Sequence, residues 1–307
     1  MAQPETRPWF GGFDCREHAV NGVTLRVRVG GRADAPALLL LHGFPQTHVM
    51  WHRVAMQLAP HYRLVLPDLR GYGESSKPAD ESDAADHASY SKRAMAADMA
   101  ALMHSLGHAR FFVAGHDRGG RVAHRLALDH AADVIKLCVL DIAPTLDMYT
   151  ATDLSFASAY YHWFFLIQPA PHPERMISGD PVEYLRWKVG RWGAEGLGHC
   201  ESAAFDDYAR CISQPATVHA MCEDYRASAG IDLEHDRQSR ADGAQVDCDM
   251  LVLWGQRGVV NALFDPLALW RAQCRGVVSG ELMPCGHYIP EELPDATAQA
   301  LQRFMQA

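Results

Sequence analysis

The stretch Phe111-Phe112-Val113-Ala114-Gly115-His116-Asp117-Arg118-Gly119-Gly120-Arg121 confines this chain more than any other. Its apolar run reads as a short buried strand and residues 121–129 as a helix, so 115–120 form a strand-to-helix corner with Asp117 at the apex. Small residues two before and two after the apex are what such a corner needs, because a side chain at either flank would collide with the opposite arm. A carboxylate at the apex is a nucleophile that needs no base, and the helix N-terminus after it, with unpaired N–H groups and a positive dipole end, favours its charge. Its natural target is a saturated carbon carrying a leaving group, either a halide or the oxygen of a strained epoxide. The bland alternative is a tightly packed corner in which Asp117 only caps the helix.

The rest of the chain falls into step with that corner. Val20-Asn21-Gly22-Val23, followed by alternating Leu25, Val27 and Val29, reads as an opening hairpin. Residues 37–41 and 62–67 read as strands buried on both faces, separated by a helix over 49–58, and a polar loop over 74–88 leads to a helix over 94–106. A strand over 134–140 delivers Asp141. This cadence predicts an α/β fold, with a mostly parallel, doubly wound sheet and helices on both faces. The cadence breaks after Pro144, where a segment rich in Trp, Tyr and His carries no buried-strand run. It resumes with a strand at 250–254, a helix at 266–270, a strand near 276–282 and a closing helix to Met305. The expected organisation is a core domain of 1–144 and 247–307 with an inserted helical cap of 145–246, which suits a chain of 307 residues.

Composition narrows the partners. The net charge is −9 and no run of Lys and Arg occurs, which argues against nucleic acid and against anionic membrane surfaces. Residues 1–10 lack the apolar stretch of a leader, and no run reaches the roughly 18 residues of a membrane span, so a cytoplasmic protein is expected. The eight cysteines include no CxxC pair, which suits free thiols. His48 with His52 and His104 with His108 have metal-ligand spacing but no third ligand, so neither a metal nor another cofactor is expected.

Three strand ends supply a catalytic order of nucleophile, acid and histidine: Asp117, Asp141 and His287. His287 would deprotonate the water that hydrolyses an ester on Asp117, and Asp141 would orient it, with Asp265 as a rival acid. The backbone N–H groups of Phe44 and Arg118 are placed as an oxyanion hole. Arg118 and Arg121 lie one and four positions beyond the nucleophile, where a first helical turn aims both guanidinium groups at the pocket, a geometry for a carboxylate. The partner is therefore a small anionic substrate. Arg125, one turn further on, reads as a surface ion-pairing residue, and Tyr160 and Tyr161, possible acids for an epoxide oxygen, read as packing groups.

Leu41-His42-Gly43-Phe44-Pro45-Gln46-Thr47-His48, Gly115-His116-Asp117-Arg118-Gly119-Gly120-Arg121, Tyr161-His162-Trp163, Cys222-Glu223-Asp224-Tyr225-Arg226, Glu234-His235-Asp236 and Gly286-His287-Tyr288 together resemble the fluoroacetate/haloacetate dehalogenases of the α/β-hydrolase fold. The resemblance runs from about Phe13 to Phe304. It implies hydrolysis of fluoroacetate or chloroacetate to glycolate and halide through an aspartyl ester, with His162, Trp163 and Tyr225 donating hydrogen bonds to the departing halide, and it suggests a homodimer. Fluoride leaves carbon badly unless pre-placed donors meet its charge in a dry pocket. The family tends to have Tyr and Lys where this chain has Met148 and Ala159. The alternatives are an epoxide hydrolase, which shares the corner but has little use for paired arginines, and a non-catalytic ligand-binding relative.

Overall fold

The computed structural model describes residues 8–78 and 86–307. The start of the segment read as lacking a leader, 1–7, and part of the polar loop, 79–85, lie outside the described residues. Strands β1 (Asp14–Val20) and β2 (Val23–Gly31) form the opening hairpin, and its turn places Asn21 and Gly22 at φ of 46° and 77°. Positive φ at both central residues gives the turn the twist of the flanking strands, which is why Asn-Gly stands there.

The chain continues through β3 (Ala37–Leu41), α1 (His52–Leu58), β4 (Arg63–Pro67), α2 (Lys92–Ser105), β5 (Phe111–His116), α3 (Arg118–Asp129) and β6 (Val134–Leu140). Eight helices follow without a strand: α4 (Thr145–Thr150), α5 (Leu154–Ala159), α6 (Tyr161–Leu166), α7 (His172–Gly179), α8 (Pro181–Trp192), α9 (Ser202–Ile212), α10 (Pro215–Ala229) and α11 (Ile231–Ala241). Then come β7 (Asp249–Gly255), α12 (Val259–Leu263), α13 (Pro266–Arg271), β8 (Val278–Met283), α14 (Ile289–Glu292) and α15 (Pro294–Gln306).

The strands form one sheet in the order β1-β2-β4-β3-β5-β6-β7-β8, antiparallel over the first three and parallel beyond. The central strands β3 and β5 are buried throughout, as their unbroken apolar runs require. Their carboxyl ends, with those of β6 and β7, carry the functional loops.

Most elements begin or end within a few residues of the expectation, and three differ in a way that has a physical cause. Helix α3 begins at Arg118 rather than 121, so Gly119 and Gly120 lie inside it. Helical glycine is unfavourable by about 1 kcal/mol against alanine, but a Cβ on Gly119 would stand 2.4 Å from the carbonyl oxygen of His42, so close approach of α3 to the β3 loop outweighs propensity. The closing helix is two helices, because Leu293 leaves the helical region and Pro294 starts a new first turn. Helix α12 has five residues, too few to show a period. All eight cysteines are free thiols.

Candidate active site

Asp117 joins β5 to α3 with φ of 48° and ψ of −116°, a conformation a non-glycine residue adopts only where its surroundings impose it. Its N–H is held by the Leu140 carbonyl at 3.2 Å, and Gly43 passes so near that a Cβ there would stand 2.6 Å from Asp117 Cβ. The Phe44 N–H donates to Asp117 Oδ1 at 3.0 Å, so one carboxylate oxygen already rests on an expected oxyanion donor. The other, Oδ2, faces His287 Nε2 at 3.9 Å, too far for a direct hydrogen bond. Burial pushes the Asp117 carboxyl up, but the nearby positive groups, His287 first and then Arg121 and Arg118, outweigh it and hold the group below the usual range.

His287 Nδ1 lies 2.6 Å from Asp141 Oδ2, and Asp141 is fixed in turn by the Gly255 N–H on Oδ1 at 2.9 Å. Burial opposes the imidazolium, yet the Asp141 hydrogen bond and charge, followed by the charge of Asp117, raise the His287 pKa above its ordinary value. The His287 loop is held on both sides. His116 Nε2 lies 2.8 Å from the His287 carbonyl, and Glu292 accepts from the N–H groups of Gly286 at 2.8 Å and Tyr288 at 3.0 Å. Burial brings the His116 pKa to about 3, so its ring is neutral and donates from Nε2. Asp265 is spent capping α13, accepting from the Ala268 N–H at 3.0 Å, and Asp141 is the carboxylate beside the histidine.

Both arginines are buried in the corner helix, with different partners. Arg118 is gripped by Asp224 of α10, through Nε at 2.8 Å and Nη2 at 2.7 Å, and only its Nη1 is left without a partner. Burial disfavours its charge, but Asp224 holds the guanidinium well above its ordinary pKa. Arg121 donates to Thr145 Oγ1 at 2.8 Å and the Ala143 carbonyl at 3.2 Å, and its Nη2 lies 3.3 Å from the Met148 sulfur, leaving Nε free. Arg125 pairs with Asp236 at 2.7 Å and Asp129 at 3.3 Å as expected, but it is buried beneath the helices after β6 rather than on the surface.

The inserted helices bring aromatic groups down onto this corner. The Phe44 ring stacks on His162 at 5.8 Å and meets Tyr225 edge-on at 5.2 Å, and His162 and Tyr225 lie 5.5 Å apart. The Arg118 guanidinium sits over the Tyr225 ring at 4.3 Å and that of Arg121 over Trp163 at 4.8 Å. His162 and Trp163 share the first turn of α6, directly after a break at Tyr160. His162 Nδ1 and the Tyr225 hydroxyl are buried without a partner. Burial, then the charges of Lys188 and His287, take His162 well below its ordinary pKa, so its ring is neutral. Tyr160 packs face to face with Trp163 at 5.5 Å, and Tyr161 is half-buried. Met148 is buried against Arg121, and Ala159, ending α5, brings no polar group.

Sequence reading missed the groups that set these side chains. Asp224, joined by Lys92 and by the Tyr72 hydroxyl at 2.5 Å, lies too far along the chain from Arg118 for spacing to reveal the pair. Trp192, edge-on to both His162 at 4.6 Å and His287 at 5.2 Å, had no motif. His48 is committed to Asp68 at 2.7 Å, His104 is an exposed partner of Asp133, and His52 faces Glu201. Among the described residues, Glu174, His219 and Glu223 bring ligand-type atoms within 4.8 Å of one another, but Arg226 donates to Glu174 at 2.7 Å and to Glu223 at 2.6 Å and already balances those carboxylates.

Known proteins resemble this chain along most of its length. Residues 36–292 match the α/β hydrolase fold family model. A fluoroacetate dehalogenase from Burkholderia sp is 45% identical, covering 96% of this chain and 95% of that protein. A soluble epoxide hydrolase from Corynebacterium sp. (strain C12) is 29% identical, covering 93% of this chain and 94% of that one. A protein from Nostoc sp PCC 7120, crystallised as an α/β hydrolase, superposes with a TM-score of 0.92 at 49% identity, over 96% of this chain and 99% of that one. The chain belongs to the α/β-hydrolase fold and, within it, to the haloacetate dehalogenase family of hydrolases acting on carbon–halide bonds.

Proposed function

We propose that this chain hydrolyses 2-haloacetates, fluoroacetate and chloroacetate, to glycolate and halide through an ester on Asp117. The reading rests on one observation: around a buried, ionised carboxylate stand Arg118 Nη1, Arg121 Nε, His162 Nδ1 and the Tyr225 hydroxyl, all buried and without partners. Two cationic donors suit a carboxylate and neutral donors suit a departing halide.

Arg118 and Arg121 hold the substrate carboxylate. Asp117 Oδ2 attacks C2, and the carbon–halogen bond breaks with its electron pair going to the halide, which His162, Trp163 and Tyr225 receive. Oδ1 stays on the Phe44 N–H. Water then attacks the ester carbon as His287 Nε2 takes its proton, and the oxyanion on Oδ1 is met by the N–H groups of Phe44 and Arg118. Collapse expels the glycolate oxygen, which takes the proton back from His287, and the second proton leaves Asp117 for solvent because that carboxyl is held low. Residues 145–246 act as the cap that keeps the site dry. With this reading go a homodimer and a cytoplasmic setting, checked by light scattering and by cell fractionation.

The Tyr225 hydroxyl, buried with its pKa raised by burial and by the Asp117 charge, favours a second reading, because a phenol beside the nucleophile is the acid an epoxide oxygen needs. Incubation with fluoroacetate, chloroacetate and styrene oxide, reading fluoride and chloride by ion electrode and diol by chromatography, separates the two. Halide release without diol is expected; diol without halide overturns the haloacetate reading.

A further inference from the structure

A carboxylate substrate approaching a chain of net charge −9 is repelled by it on average, so a local positive path to the site is needed. One cleft of about 200 Å³ reaches the catalytic groups, lined at its inner end by Asp141, His287, Tyr160 and Trp192 and at its mouth by Arg191 and Arg257. Arg191 and Arg257 are exposed, and among the described residues neither guanidinium has an ion-pair or hydrogen-bond partner, whereas most arginines near the site are paired. Behind them Lys188 is buried with its amine unpartnered, 3.9 Å from the Tyr161 ring and 4.8 Å from that of Trp192. Burial, and then the Arg191 charge, push that amine down to about 6, so at neutral pH the exposed guanidinium groups, not Lys188, carry the positive charge of this wall. Trp192 lines this cleft and stands edge-on to both His162 and His287.

We propose that this cleft is the entry passage for small carboxylate anions, with Arg191 and Arg257 at its mouth recruiting the anion and the Trp192 ring as its inner wall. The inference rests on the haloacetate reading for its substrate, but not for its charge. Neutralising the pair weakens recruitment without touching the reacting groups.

The test uses the full chain with Arg191→Gln, Arg257→Gln and both together. Quenching of the Trp192 fluorescence, obtained by subtracting a Trp192→Phe chain, is read with iodide and with neutral acrylamide. Several-fold weaker iodide quenching in the double variant, with acrylamide quenching unchanged, is expected. Unchanged iodide quenching, or an equal fall for both quenchers, overturns the passage, since the second marks altered shape rather than lost charge. For chloroacetate, KM rises roughly 3- to 10-fold with kcat unchanged, and the difference fades near 1 M salt, where the screening length is about 3 Å. A KM that stays at the wild-type value at low salt also counts against it. If no haloacetate releases halide, the proposed function falls while the quenching experiment still decides the passage.

Discussion

A carboxylate attacks carbon only while ionised, and an imidazole accepts a proton only while neutral, so the site must hold Asp117 low and still let His287 lose its proton. The two demands are linked through charge. Asp117 is one of the groups that raise the His287 pKa, and esterification removes that charge, so the histidine becomes a readier base at the step that needs one. His287→Asn therefore stops turnover after the first step, and mass spectrometry of the Asp117 peptide finds a glycolyl adduct with about one halide released per chain. Asp141→Asn removes the largest influence holding a proton on His287, so the acid limb of the kcat profile moves to lower pH while kcat falls on the order of 10²- to 10⁴-fold. Asp117, Asp141 and His287 were legible because each follows a recognisable strand. The grip of Asp224 on Arg118 was not, because it joins a core helix to an inserted one, and local periodicity carries no information about such a contact.

At the scale of elements, the corner between β5 and α3 is held by absence of side chains more than by any bond. A methyl group on Gly119 would meet the carbonyl oxygens of His42 and Leu41 at 2.4 and 2.6 Å, where β3 ends and the loop that presents the Phe44 N–H begins. Gly119→Ala should therefore cost about 1–3 kcal/mol in urea unfolding, and activity should fall further than stability does because the oxyanion donor is displaced. The same loop leans on α14. Glu291 is buried, accepts from the Tyr208 hydroxyl at 2.9 Å and from Gln46, and burial pushes its carboxyl up to about 8. A pKa raised on folding means that stability is full below the unfolded value near 4.5 and is lost as pH rises through about 8. Glu291→Gln should remove that slope, so between pH about 5 and about 9 its unfolding free energy from urea titration should gain on the wild type by an amount of order a few kcal/mol. The strand and helix order was legible because buried parallel strands leave unbroken apolar runs. The short helices α5, α6 and α12 were not, since five or six residues span less than two helical periods, and the break at Tyr160, whose ring stacks on Trp163, leaves no mark in the local pattern.

On the scale of the whole molecule, the inserted helices and the sheet share a buried charge cluster as well as an apolar boundary. Asp224 on α10 receives Arg118 from the corner helix, Lys92 from α2 and the Tyr72 hydroxyl from the loop after β4, and none of these groups is exposed. Burial opposes the Asp224 charge, but the Arg118 and Lys92 charges beside it depress the carboxyl far below its usual range. A depressed carboxyl contributes stability that is present above its unfolded pKa, ordinarily near 3.9, and is lost as pH falls toward the folded value. Removing the negative partner alone leaves two cations buried together, a change that costs about 3–5 kcal/mol, whereas an exposed pair would cost almost nothing. Asp224→Asn should therefore loosen the inserted helices before it unfolds the sheet. Amide hydrogen exchange should quicken across α10 and α6 while β3 and β5 keep their protection, and KM for a haloacetate should rise because Arg118 no longer has a fixed position. Exchange that quickened equally in the strands would mean that the cluster stabilises the molecule as one unit, and the inserted helices would then not be a separately releasable cover.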